Sequence, residues 1–86
     1  MYKIKETIIV EGTYDKIKLS GFIETPILTT HGFSVFKNKK LIESIKNLAE
    51  KTGIVILTDS DSAGFKIRNF IKQSVTVGTV LHAYVP

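Results

Sequence analysis

Asp59-Ser60-Asp61 places two carboxylates two residues apart at the end of the unbroken run Ile54-Val55-Ile56-Leu57-Thr58. In extended chain such a pair points to the same side, so both can share a hard cation, whose preferred ligands are carboxylate oxygens and water. Magnesium fits this donor set best, and manganese also fits. A third carboxylate, Glu11, follows the run Thr7-Ile8-Ile9-Val10 and precedes Gly12. It can be a further metal ligand or a general acid/base whose pKa neighbouring acids raise. Taken alone, an Asp-x-Asp triplet also reads as a turn or helix cap. Its setting favours chemistry: a very apolar strand lies before it, and Ala63-Gly64 opens a helix after it. Gly64 permits backbone amides to approach a phosphate at that helix N-terminus, and Lys66 and Arg68, one turn on, add positive charge.

The elements that must position these groups alternate between strand and helix. Residues 6–12 read as a buried strand ending near Glu11 at a functional turn. Residues 14–22 have the length and closing glycine of a short helix, and 26–30 form a second strand with Pro at its first residue, leading into His31-Gly32-Phe33. From Lys39 to Lys51, Leu41, Ile42, Ile45, Leu48 and Ala49 fall at helical spacing, and Gly53 follows as a C-terminal glycine. Residues 54–58 read as a strand buried on both faces of a parallel sheet. Ser62 can cap a helix through about residue 73 with Ile67, Phe70 and Ile71 inward, and Val80 to Val85 supplies a last strand. This order predicts an α/β domain, a mainly parallel sheet of about four strands with helices on both faces. Such sheets bind ligands at the carboxyl ends of their strands, where Glu11 and Asp59 both fall.

Eighty-six residues, 43% of them apolar, suffice for a single domain. With no cysteine, disulfide scaffolds and zinc-thiolate sites are excluded and a reducing setting is favoured. No apolar run approaches the roughly 18 residues of a membrane span, and charges occupy the place of a signal peptide's apolar region, so a cytoplasmic protein with no membrane partner is expected. The net charge of +4 suits a polyanion. His31 and His82 can act as ligands or bases, His31 from the active edge, although lone histidines more commonly serve as hydrogen-bonded structural residues. Phe33 and Phe36 can stack on bases, with covering the sheet edge as the favoured role.

Ile8-Ile9-Val10-Glu11-Gly12 together with the run Ile56 to Gly64 resembles the Toprim domain of bacterial primases, topoisomerases, OLD-family nucleases and a small maturase ribonuclease. Tyr14-Asp15-Lys16, Thr30-His31-Gly32-Phe33, Ile67-Arg68-Asn69 and His82-Ala83-Tyr84-Val85-Pro86 are most similar to the small primase-like proteins related to the ribonuclease that matures 5S ribosomal RNA. The resemblance implies a three-layer α/β/α, Rossmann-like Toprim fold over residues 1–86. It implies that Glu11 is the general acid/base of phosphodiester chemistry while Asp59 and Asp61, with Glu11, hold magnesium. Asp15 lies where relatives carry a second acid, and Gly12 and Gly32 border the site. Gly64, Lys66, Arg68, Lys16 and His31 become candidates for phosphate or nucleic-acid contact. Thr13 stands where relatives place Lys or Arg, and His31 where they place an amide. Tyr14 is not expected to be a topoisomerase nucleophile, which lies in another domain of that family, and packing beside the turn is the expected role.

Four of the eight acids would then form one cluster, leaving four against twelve basic residues, a remainder cationic enough for a phosphate backbone. Lys37, Lys39 and Lys40 precede the long helix, and Lys66, Arg68 and Lys72 lie on the last one. The expected activity is magnesium-dependent phosphodiester cleavage of structured RNA, as in an endoribonuclease-like ribosomal RNA maturase. The alternative is a nucleic-acid-binding or partner-docking module without catalysis, and primer synthesis ranks last. Similar proteins continue past the position of Pro86 into a basic tail or RNA-binding domain. Residues 1–86 are therefore expected to be the N-terminal part of a longer protein, partnered by that downstream domain or a ribosomal protein.

Overall fold

The computed structural model describes residues 2–85; Met1 and Pro86, which closes the His82–Pro86 stretch, lie outside the described residues. The chain runs β1 (Thr7–Val10), α1 (Thr13–Ser20), β2 (Ile27–Thr29), a 3-10 helix (Gly32–Lys37), α2 (Lys39–Lys51), β3 (Ile54–Asp59), α3 (Ser62–Ser74) and β4 (Val80–Val85). The four strands form one sheet in the order β2-β1-β3-β4, and every neighbouring pair is parallel. This is the three-layer α/β/α fold expected from the alternation.

Parallel strands are joined by right-handed crossovers, so the direction of each step across the sheet decides which face its helix covers. The step from β1 to β2 runs one way and the steps to β3 and β4 run the other, which puts α1 on one face and α2 and α3 on the opposite face. The chain therefore leaves β1 and β3 toward opposite faces, opening a crevice between their carboxyl ends. Val10 pairs with Leu57, so Glu11 and Asp59 emerge side by side at that crevice.

Side-chain alternation then divides the core. Ile9, Ile54 and Ile56 pack with Val35, Ile45, Ala49, Ile67 and Ile71 under α2 and α3. Ile8, Val10 and Ile27 pack with Leu19, Ile23 and Leu57 on the α1 side. β1 is buried throughout, as its β-branched run predicts. β3 departs from the expected burial on both faces: Ile54, Ile56 and Thr58 are buried, but Val55 and Leu57 are only partly covered. The reason is that α1 alone serves that face and has no buried residue of its own, with Ile17 64% exposed.

The helix ends follow local chemistry. Asn38 caps α2 by accepting the Leu41 N–H at 3.0 Å, and Gly53, at φ 80°, ends it by donating to the Leu48 carbonyl at 2.9 Å. α3 is capped by Asp61 rather than Ser62: Asp61 is extended and its Oδ1 accepts the Gly64 N–H at 2.7 Å. Residues 32–37, between β2 and α2, form a 3-10 helix that buries Val35. Among the described residues no helix is long and apolar enough to cross a membrane.

Gly78, between α3 and β4, sits at φ 108°, and a Cβ there would collide with the Ala49 carbonyl, which accepts the Thr79 N–H at 3.1 Å. Gly78→Ala is expected to cost about 2 kcal/mol through this contact and the left-handed backbone. Urea unfolding checks it: the midpoint should fall at constant m-value, and an unchanged midpoint refutes the close approach.

Candidate active site

Glu11 is fixed at both of its ends. Its carbonyl oxygen accepts the Gly32 N–H at 2.9 Å, the Thr29 hydroxyl at 3.1 Å and the Thr30 hydroxyl at 3.3 Å. Its carboxylate Oε1 accepts the Asp59 N–H at 3.1 Å. The end of β2 thus holds the main chain of residue 11, and the end of β3 holds its side chain. Geometry that delivers these donors requires a sharp reversal after β2, made by the consecutive left-handed residues His31 (φ 56°) and Gly32 (φ 65°). His31 is exposed and its N–H is accepted by the Thr29 hydroxyl at 3.2 Å. The Thr29-Thr30 pair escaped the sequence reading; two hydroxyls at a strand end before His-Gly are the signal that marks it.

Gly64 is the floor of the site. A Cβ at this position would collide with the Asp59 carbonyl and stand 3.1 Å from both Asp61 Oδ1 and Glu11 Oε1. Only glycine lets the first turn of α3 pack against the end of β3 beneath these carboxylates. Of the backbone amides that Gly64 was expected to let approach a phosphate, its own is already taken by Asp61, and the surroundings are acidic. Asp59 and Asp61 are exposed, and Asp15, on α1, is close enough for its charge to act on Glu11. Burial pushes the Glu11 carboxyl above its ordinary pKa; the Asp59 N–H opposes the shift, and the charges of Asp59, Asp61 and Asp15 add to it.

Arg68 is the main correction to the candidate list. It was expected to face phosphate, yet it is only 3% exposed. One terminal nitrogen donates to the Ile56 carbonyl at 3.1 Å and to His82 Nδ1 at 2.9 Å. The other donates to the Thr58 hydroxyl at 2.8 Å and to the Ala83 carbonyl, while the guanidinium lies 3.9 Å from the Tyr84 ring centroid. Nε alone has no partner among the described residues. The burial was legible, because Gly64, Ile67, Arg68 and Ile71 form one helical stripe and all four are buried. Since arginine only donates, His82 Nδ1 must accept and the imidazole proton resides on Nε2. Burial lowers the His82 pKa, and the charges of Arg68 and Lys72 lower it further. His82 is thus the hydrogen-bonded structural histidine expected.

The remaining candidates divide. Gly12 precedes α1 and accepts the Lys16 N–H at 3.2 Å; Lys16 and Lys66 are exposed on α1 and α3. Phe33 stacks on Phe36 at 5.6 Å, and Phe36 meets Phe70 edge-on at 4.9 Å, which accords with the covering role. Tyr14 is not packed beside the turn: it is 71% exposed, with the Lys18 ammonium 5.4 Å from its ring centroid.

The donors are hard carboxylate oxygens, the type that holds a hydrated divalent cation through one or two side chains. Among the described residues no group of three or more His, Cys, Asp or Glu side chains stands arranged to hold a metal ion. Asp61 and Glu11 each engage an oxygen with a backbone N–H, so these residues fit a cation that keeps much of its water.

A parallel sheet with carboxylates at the switch point between β1 and β3 defines an α/β domain whose ligand-binding crevice lies at its strand ends. The Toprim domain family matches residues 6–85, and the chain belongs to that family. Toprim domains in general bind divalent metals. The chain is 44% identical over 87 residues to ribonuclease M5 of Mycoplasma capricolum subsp. capricolum, covering 99% of this chain and 47% of the relative. It is 37% identical over 82 residues to ribonuclease M5 of Clostridium botulinum, covering 95% and 43%. For ribonuclease M5 of Staphylococcus aureus the figures are 36% over 83 residues, covering 96% and 44%. The chain thus spans a little under half the length of these curated relatives.

Two outcomes follow from the site. Arg68→Met removes a buried cation from four acceptors and is expected to destabilise by about 3 kcal/mol, with Arg68→Lys recovering part; thermal unfolding checks both. A raised folded pKa makes ionised Glu11 unfavourable for folding. Relative to Glu11→Gln, the metal-free wild type should therefore gain stability as pH falls through the Glu11 folded pKa, until its unfolded value is passed. Denaturation of both proteins across that range tests the sign, and the His82 contribution cancels in the difference.

Proposed function

We propose that this chain is a magnesium-dependent phosphodiester-cleaving Toprim module acting on RNA, with Glu11 as general acid/base and Asp59 and Asp61 as the metal-holding residues. The carrying observation is the Glu11 carboxylate held on the Asp59 N–H, which joins the ends of β1 and β3 into one acidic edge. Bound magnesium, or manganese, would polarise the scissile phosphate and offset the charge that develops on it. Asp59 and Asp61 face solvent and are the residues to hold it.

The protein's own part is orientation and proton transfer. The Asp59 N–H orients the Glu11 carboxyl at the edge, and burial raises its pKa, the direction a general acid/base needs. Exposed Lys16 and Lys66 lie on the helices that flank the crevice and supply charge for the flanking phosphates. The ribonuclease relatives and the net charge of +4 support RNA as substrate, and the resemblance points to a structured ribosomal precursor. On this reading residues 1–86 are a cytoplasmic catalytic module. A second reading, RNA binding without cleavage, draws support from the oxygens that Glu11 and Asp61 already commit to backbone N–H groups.

Magnesium titration should shift the amide resonances of Glu11 and of residues 59–64 at millimolar metal, and no response there refutes the metal assignment. With a structured RNA precursor, Glu11→Gln should cut the cleavage rate by roughly a hundredfold or more while leaving binding intact. Equal processing by both proteins refutes the role of Glu11, and intact binding with no cleavage by either establishes the second reading.

A further inference from the structure

On the α1 side of the crevice a groove of about 180 Å³ opens beside the acids, floored by Leu19, Phe22 and Leu57 and rimmed by Asp15, Lys18 and Asp59. We propose that it receives a single unpaired nucleobase carrying an exocyclic amine, from the nucleotide next to the phosphate at the acidic edge. The proposal rests on the reading of the site as an RNA-processing one and names what that site recognises.

Placement is the first argument. Asp59 belongs both to the acidic edge and to the rim of the groove, so a phosphate at the edge brings its neighbouring base within one nucleotide of the floor. The groove exists because α1 alone serves this face and leaves Leu57 only partly covered.

Shape and chemistry narrow the occupant. A cavity of about 150 Å³ admits a benzene ring, so this groove suits a planar heterocycle and is too small for a helix. Phe22 is 50% exposed and takes part in no aromatic pair among the described residues, whereas Phe33, Phe36 and Phe70 engage one another and Phe65 meets Tyr84. Its ring is open for stacking, and Leu57 offers an apolar wall from the sheet. At the rim the Asp15 and Asp59 carboxylates can accept from an exocyclic amine, as carboxylates do from cytosine N4. Lys18 stands where it can pair with the backbone of the same nucleotide. Uracil, which has no exocyclic amine, would leave the carboxylates facing carbonyl oxygens. An extruded base held between an aromatic and an apolar surface is the general form of such recognition.

The test uses an RNA hairpin with one unpaired 2-aminopurine, bound to the Glu11→Gln protein in magnesium so that the probe stays intact. Binding should change the 2-aminopurine emission and shield it from acrylamide. Adding Phe22→Ala should abolish that response and weaken binding about tenfold, since each stacked base contributes that order of affinity. Thermal unfolding should show the fold unchanged, as Phe22 is half exposed. An abasic site in the hairpin should weaken binding to the Phe22-containing protein and have no further effect on the Phe22→Ala protein, while uridine should weaken binding severalfold. Equal affinity and emission with and without Phe22 overturn the groove. Shifts of Leu19, Phe22 and Leu57 resonances with protein concentration but not with RNA also overturn it, assigning the face to a second copy of the chain. Magnesium-dependent cleavage by wild type that Phe22→Ala leaves unaltered removes the groove alone, whereas no RNA binding at all removes the underlying reading with it.

Discussion

The structure depends on how residue 11 is held. Three donors from the end of β2 converge on the Glu11 carbonyl, and the Asp59 N–H at the end of β3 holds its carboxylate. Each hydrogen bond contributes about 1 kcal/mol net, yet together they join three strand ends that the chain supplies at residues 11, 29–32 and 59. The local costs of the fold become intelligible from this point. His31 occupies a left-handed conformation that non-glycine residues seldom adopt, because only that reversal delivers the Gly32 N–H to the Glu11 carbonyl. Gly64 has no side chain because a Cβ there would run into the Asp59 carbonyl at the end of β3, with the Asp61 and Glu11 carboxylates crowding it further.

Beneath this edge lies a buried cation. Arg68 fastens β3 and β4 to α3 through Ile56, Thr58 and Ala83, and its own pKa reflects burial that lowers it and the charges of Tyr84 and Glu11 that raise it. A guanidinium only 3% exposed is expensive to desolvate unless hydrogen bonds and anions compensate it. Four acceptors do so locally, and the Glu11 carboxylate does so at longer range.

Much of this was legible in the sequence. The unbroken run 54–58, the helical spacing over 39–51 and the Asp-x-Asp triplet place β3, α2 and the acidic edge, because each is a local pattern with a local cause. Strand order was not legible, since convergence of Glu11 with Asp59 depends on β3 passing beyond β2 to the other side of β1, which no local window records. Arg68 was misread because its charge was weighed as a surface charge, although its position in the stripe 64, 67, 68, 71 pointed inward. Coverage of β3 was overestimated for a related reason: an apolar run shows that a strand is apolar, while the number of helices on each face follows from topology.

The acidic edge constrains the order in which charges can assemble. A helix N-terminus ordinarily attracts a phosphate through free amides, but at α3 the Gly64 N–H is already taken by Asp61. A phosphate approaching without a cation meets carboxylates instead, and a cation arriving without a phosphate finds no complete set of side-chain ligands among the described residues. On the proposed reading each charge therefore improves the site for the other, and such coupling is reciprocal by thermodynamic necessity. The net charge of +4 takes its meaning from this arrangement. On the same reading, exposed Lys16 and Lys66 on the flanking helices would draw in a polyanion that the acidic edge repels until a cation is present.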